Sequence, residues 1–139
     1  MEAASFFGET YEVASSKADG FSYIPKADSF AVKADTDYVY MTSNNTIHGT
    51  QWKSFPSFDV PLFCDMSSDF LSRPVDVKPF DFIYAGVQKN VGPAGVVVAI
   101  IKDDLLKKVC RDLPVMMQYK TYVDHDSTYN TPPVFNIYF

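Results

Sequence analysis

The chain has 139 residues, of which 47% are hydrophobic, 16% aromatic and 21% charged, an ordinary globular balance that leaves room for one domain at most. Against 17 acidic residues stand 12 basic ones, for a net charge of −5, and no Lys/Arg cluster is available to grip a nucleic-acid backbone or an anionic membrane. No apolar stretch approaches a membrane span, and Glu2 opens the chain without the basic-then-apolar pattern of a signal peptide, so a cytoplasmic setting is expected.

In chain order, Met1 to Phe7 followed by Gly8 reads as the last turns of a helix with a glycine cap. Ser15 to Asp37 is polar and turn-rich, so it reads as loop. Apolar runs of strand length follow at Tyr38–Met41, Val60–Cys64, Phe82–Ala85 and Val96–Ile101. They are continuous rather than alternating, which predicts strands covered on both faces. After Ile101 a helix is predicted. Asp103 and Asp104 fill its first turn, Leu105, Leu106, Val109 and Cys110 form its apolar face, Lys107, Lys108 and Arg111 follow, and Pro114 lies beyond its end. Asp124 to Pro133 reads as loop, with Thr131-Pro132-Pro133 a helix-start signal. The short apolar tail Val134–Phe139 cannot make a stable helix alone. Strands mixed with a helix indicate an α/β sheet, and both ends read as stopping in mid-pattern. Cys64 and Cys110 are too few for a disulfide framework or a metal site and read as reduced, buried thiols.

The segment Ala85-Gly86-Val87-Gln88-Lys89-Asn90-Val91-Gly92-Pro93-Ala94-Gly95 delivers one lysine into a turn between two strand-like runs. Upstream, Asp65 ends the run Val60–Cys64. A carboxylate at one strand end and a lysine at the next are what pyridoxal phosphate needs. The lysine forms a Schiff base, and the carboxylate holds a proton on the pyridine nitrogen. Taken alone, Lys89 is as readily a solvated turn lysine, and Asp65 a helix N-cap preceding Ser67 and Ser68.

Four segments in order weigh against those readings: Thr42–Thr50, Asp65–Val77, Ala85–Gly95, and Ser127-Thr128-Tyr129-Asn130-Thr131-Pro132-Pro133. Through them the chain resembles the phosphoserine aminotransferases, a branch of the class-V aminotransferases among the fold-type I pyridoxal-phosphate enzymes. The resemblance covers nearly the whole chain. Family chains are more than twice as long, so residues 1–139 look like the middle of the large domain, one incomplete domain with a mostly parallel sheet flanked by helices and cut at both ends.

The resemblance implies an activity and a site. The activity is transfer of an amino group between phosphoserine and 2-oxoglutarate, giving 3-phosphohydroxypyruvate and glutamate, in serine biosynthesis and, in many bacteria, vitamin B6 synthesis. Lys89 is implied as the Schiff-base lysine and acid–base catalyst, and Asp65 as the ring-nitrogen partner. Gln88 and Thr46 are implied cofactor contacts. Asn130 and Thr131 match positions that bind the cofactor phosphate of a neighbouring subunit, so a homodimer with a shared site is expected. Asn44 and Asn45 read as turn residues. No metal is expected, because His48 and His125 lack carboxylates at ligand spacing and read as loop residues. Arg73 reads as a structural pairing residue rather than a substrate clamp, and Trp52 is not the stacking ring of the family. The alternatives are another class-V aminotransferase or a non-catalytic fragment.

Overall fold

The computed structural model describes residues 2–130. The predicted helix start at Thr131-Pro132-Pro133, the tail after it and the site residue Thr131 lie outside the described residues.

Each apolar run forms a strand: β1 (Val39–Thr42), β4 (Leu62–Asp65), β5 (Phe82–Gly86) and β6 (Val97–Ile101), the intervening β2 (Asn44–Asn45) and β3 (Thr50–Gln51) making a small hairpin. The four longer strands form one sheet in the order β1-β4-β5-β6. β1 runs parallel to β4 and β4 to β5, while β6 returns antiparallel along β5. The expected mostly parallel sheet is therefore present with an antiparallel edge. Parallel neighbours need a long crossover, and antiparallel ones only a turn. The lysine turn is that short connection between β5 and β6.

One face of the sheet holds the core. Val39, Leu62, Cys64, Ile83 and Ala85 are buried there with Met66 and Phe80, and Met41 of β1 and the loop residues Val32, Phe55, Phe58, Val60, Phe70 and Val75 pack against them. Burying side chains such as Leu62 and Ile83 stabilises by about 1.5–3 kcal/mol each.

The expectation of cover on both faces does not hold among the described residues. Burial alternates along β4 and β5, because the buried core forms on one face and the other is only partly covered. The other face carries a row of rings. Tyr38 stacks on Phe63 at 4.4 Å, Phe63 meets Phe82 at 5.4 Å, and Tyr119 closes on Phe82 at 5.3 Å. On β6, Val97 is 66% exposed.

The helices are short. α1 (Glu2–Ser5) ends where Phe7 and Gly8 donate to the Ala4 carbonyl, so a helix end stands before Gly8 as expected. Gly8 is not among the residues with left-handed angles, so it is no left-handed cap. The helix expected beyond Ile101 is a single turn, α2 (Asp103–Leu106). Leu105 and Leu106 are half-buried, but Val109 is 56% exposed and Cys110 is exposed. An apolar stripe with nothing to enter gains no packing to extend a helix. That also corrects the expectation of two buried thiols. Cys64 is buried, and Cys110 is not. A helix the sequence did not announce, α3 (Tyr119–Asp124), starts within a stretch lacking side-chain caps. No helix among the described residues is long and apolar enough to cross a membrane.

Candidate active site

Because β1, β4 and β5 are parallel, their C-terminal ends lie along one edge, and ligand sites of open α/β sheets form outside such edges. Thr42 lies opposite Asp65, and Asp65 opposite Tyr84. The segments leaving the three strands are tied together by side chains. The Gly86 amide donates to Ser67 Oγ at 3.0 Å. Ser68 Oγ donates to the Asn44 carbonyl at 2.8 Å and accepts from Asn44 Nδ2 at 3.0 Å. The two serines after Asp65 thus serve as the fasteners of the edge.

Asp65 ends β4 on the open face. Its Oδ1 accepts from the Ser67 amide at 2.8 Å, and its Oδ2 from the Tyr84 hydroxyl at 3.0 Å. The first bond closes a local turn of the kind aspartates favour, so a capping role and an outward-facing carboxylate coexist. Tyr84 OH lies 3.0 Å from Tyr40 OH. Burial and these two hydrogen bonds push the Tyr84 phenol well above its ordinary range.

Gln88 and Lys89 occupy a single 3-10 turn, Val87–Lys89, directly after β5. Val87 is buried and anchors that turn. Its amide reaches the Val96 carbonyl at 3.2 Å, and its own carbonyl accepts from Val91 and Gly92, both at 2.9 Å. Asn90 Nδ2 fastens the far side to the Phe70 carbonyl at 2.8 Å. Gln88 and Lys89 are exposed on this fixed turn, and among the described residues Lys89 Nζ has no hydrogen bond or ion pair. A Cβ on Gly86 would stand 2.7 Å from Gln88 Oε1, so the Gln88 amide folds back over the glycine.

Thr46 opens the exposed turn between β2 and β3. The asparagines before it are not left-handed turn residues, as the sequence suggested. They are extended and paired with Gln51 and Thr50, and the left-handed position falls to Gly49, φ 70°. Asn45 still holds the loop, since its Oδ1 accepts from the amides of Ile47 at 3.0 Å and His48 at 3.3 Å. Asn130 stands apart from these groups. It lies beyond α3 with φ 63°, its Nδ2 3.9 Å from Met116 Sδ, and among the described residues it makes no hydrogen bond to the Asp65 or Lys89 segments.

Beneath the edge lies a buried polar group. The Ser43 hydroxyl bonds to Asp69 Oδ1, and Gln51 Nε2 donates to Asp69 Oδ2 at 3.1 Å. Burial first, then the charges of Asp69 and Asp65, pushes the neighbouring Cys64 thiol up to about 12. Sequence reasoning missed Tyr84, Tyr40, Ser43 and Asp69. For the tyrosines a signal existed, since a phenol inside a strand run needs a hydroxyl partner. Ser43 and Asp69 carried none.

The remaining singled-out residues are structural neighbours. Arg73 binds the carbonyls of Trp52 and Lys53 and lies over the Phe55 ring, 5.5 Å from its centroid. Trp52 meets Phe30 edge-on. His48 packs against Phe21, and His125 Nδ1 lies 2.7 Å from the Thr121 carbonyl. Among the described residues, no group of three or more His, Cys, Asp or Glu side chains is placed to hold a metal.

Comparison with known proteins gives the family of the chain. The family described as aminotransferase class-V matches residues 2–139. A phosphoserine aminotransferase of Flavobacterium psychrophilum is 49% identical over 138 residues, covering 99% of this chain and 38% of that protein. A solved phosphoserine aminotransferase, studied for radiation damage of its Schiff base, superposes with a TM-score of 0.89 at 49% identity, over 95% of this chain and 37% of its own. The PLP-bound phosphoserine aminotransferase of Trichomonas vaginalis gives a TM-score of 0.74 at 38% identity, over 81% of this chain and 33% of its own. The chain thus spans about 38% of the length of the curated relatives it matches.

Proposed function

The chain belongs to the class-V aminotransferases, and from that premise we propose that it forms the cofactor-binding centre of a pyridoxal-phosphate-dependent phosphoserine aminotransferase. The whole protein would move an amino group between phosphoserine and 2-oxoglutarate, in the cytoplasm, for serine and vitamin B6 synthesis. The observation that carries this reading is the placement of Asp65 and Lys89 at the ends of two hydrogen-bonded parallel strands. Relatives named for that activity at about half identity support the choice of substrate.

The residues present fit the cofactor. A pyridinium N–H needs an acceptor whose orientation is already set, and Asp65 is held through both oxygens with lone pairs to spare. A covalent anchor needs an amine with no competing ion pair, and Lys89 has none among the described residues. When bound, pyridoxal phosphate supplies an electron-withdrawing ring that stabilises charge at the substrate α-carbon.

The chain's own groups then divide the work. Lys89 Nζ would hold the cofactor covalently and, as a free amine, would carry the α-proton as acid and base. Asp65 keeps the ring nitrogen protonated. Gln88 and Thr46 donate to the cofactor's oxygens without adding charge. Asn130 and Thr131 serve the cofactor phosphate of a second subunit, which makes the active unit a homodimer with shared sites.

The test is borohydride reduction of the full-length protein carrying this segment, followed by peptide mapping. The reduced cofactor is expected on Lys89. A label on Lys53 or Lys102 instead would overturn the assignment.

A further inference from the structure

We propose that Tyr84 is a positioning residue for the Asp65 carboxylate, and that Tyr40 sets the direction of the hydrogen bond Tyr84 makes. This rests on the cofactor reading above and adds to it two residues that the site motifs do not contain.

Tyr84 and Asp65 face each other across β4 and β5 on the open side of the sheet. The carboxylate is gripped twice, by the Ser67 amide on Oδ1 at 2.8 Å and by the Tyr84 hydroxyl on Oδ2 at 3.0 Å. One donor alone leaves a carboxylate free to swing about its side-chain torsions. Two donors on different oxygens fix its plane.

The direction of the chain of bonds follows from the chemistry of the three groups. An ionised carboxylate has no hydrogen to give, and a phenol has one. Tyr84 therefore spends its hydrogen on Asp65 and can only accept from Tyr40, whose hydroxyl lies 3.0 Å away. Tyr40 keeps Tyr84 in its donor orientation and gives its oxygen a partner. The order is Tyr40 to Tyr84 to Asp65.

Packing does not require either hydroxyl. The Tyr84 ring sits beside Phe82, with centroids 5.8 Å apart, a contact made through the rings alone, and phenylalanine would fill the same space. What phenylalanine would not supply is the donor on Oδ2. A hydrogen bond to a charged group is among the stronger ones, so its loss should appear in how well Asp65 meets a ring nitrogen.

The experiment compares Tyr84→Phe and Tyr40→Phe with the unaltered protein, each as the full-length polypeptide carrying this segment. Three quantities are read: the dissociation constant of pyridoxal phosphate from the apoprotein, the pH dependence of the bound cofactor's visible absorption, and the thermal midpoint of the apoprotein. For Tyr84→Phe the proposal expects affinity to fall about tenfold and the absorption profile to shift, with the apoprotein midpoint nearly unchanged. For Tyr40→Phe it expects the same changes at roughly a third of that size. Unchanged affinity and absorption in Tyr84→Phe would overturn the proposal, even with a lowered midpoint, since that would be a purely structural role. Should Tyr84→Phe not fold, unchanged affinity in Tyr40→Phe overturns it alone. Absence of a borohydride label on Lys89 in the unaltered protein is a different result, and it would sink the cofactor reading itself.

Discussion

Ser43 holds Asp65 from behind: its amide donates to the Asp65 carbonyl at 2.9 Å, and its hydroxyl lies 3.2 Å from the same oxygen. The hydroxyl also bonds to the buried Asp69 carboxylate, whose other oxygen is served by Gln51. The edge that presents Asp65 to solvent is thus backed by a buried acid with only neutral donors. Ser43→Ala would leave Asp69 short of a donor inside the protein. The expected cost is about 1–3 kcal/mol of stability, read as a lower urea midpoint of the full-length protein. An unchanged midpoint would show that Asp69 finds another donor at no cost.

Asp65→Asn tests the carboxylate itself. Asparagine is nearly isosteric: its one oxygen can still accept from the Ser67 amide, while its NH2 group turns to donate to the Tyr84 oxygen, so the edge should keep its shape. It carries no charge to hold a proton on the ring nitrogen. Lys89 should remain labelled by borohydride, while single-turnover amino transfer falls by at least about a hundredfold, judged against the usual gain from such charge stabilisation. Near-normal turnover with an intact cofactor spectrum would remove Asp65 from that role.

The strands were legible because Val, Ile, Phe and Tyr cluster in short runs bounded by turn residues, and all four runs became strands within about two residues of the expected ends. Their cover was not legible, since a continuous apolar run reads alike whether one face or both are packed. The α2 error has the same origin. Asp103, Asp104 and Lys107 signalled a helix correctly, but its length depends on a packing partner that no local pattern shows. The strand-end positions of Lys89 and Asp65 were readable. Ser43 and Asp69 were not, because the bond between them joins the residue after β1 to the turn after β4 and exists only once the sheet has formed.

The two thiols should behave oppositely. Cys64 is fully buried and its thiol is pushed from 9.0 up to about 12, so it should resist alkylation at about pH 8 until the protein unfolds. Cys110 is exposed and should react at once in the isolated chain. The shift also bears on stability. The folded state keeps the Cys64 proton where the unfolded state loses it, so its contribution is complete below about pH 9 and declines as pH rises toward 12. The unfolding midpoint should therefore fall more steeply over that window than in Cys64→Ala, which lacks the group. Equal slopes would show that burial does not hold the proton.

On its own, the 139-residue chain should associate and show no phosphoserine turnover. Phe63, Phe82 and Tyr119 form a ring cluster on the open face, and β6 presents exposed apolar side chains along an edge. Unpaired edges and apolar patches of this kind promote self-association. Light scattering and a turnover assay on the purified chain are sufficient. A monodisperse, cooperatively unfolding, active preparation would contradict the expectation.

Gly86 offers a way to separate folding from cofactor contact. Its angles, φ −70° and ψ 120°, are ordinary extended values, so alanine there meets no backbone strain. The clash it creates is with a flexible group, since the added Cβ would lie 2.7 Å from Gln88 Oε1 and 3.2 Å from Gln88 Nε2. Gln88 is exposed and can swing away without moving the strand. Gly86→Ala should therefore change the apoprotein's stability by no more than about 0.5 kcal/mol. If the Gln88 amide donates to the cofactor from its folded-back position, displacing it should weaken pyridoxal phosphate binding several-fold, roughly the effect of losing one neutral hydrogen bond. Gln88→Ala should produce a similar loss, and the double variant little more than either single one, because both remove the same contact. Additive losses in the double variant would mean that Gly86 acts on the cofactor by some route other than the glutamine.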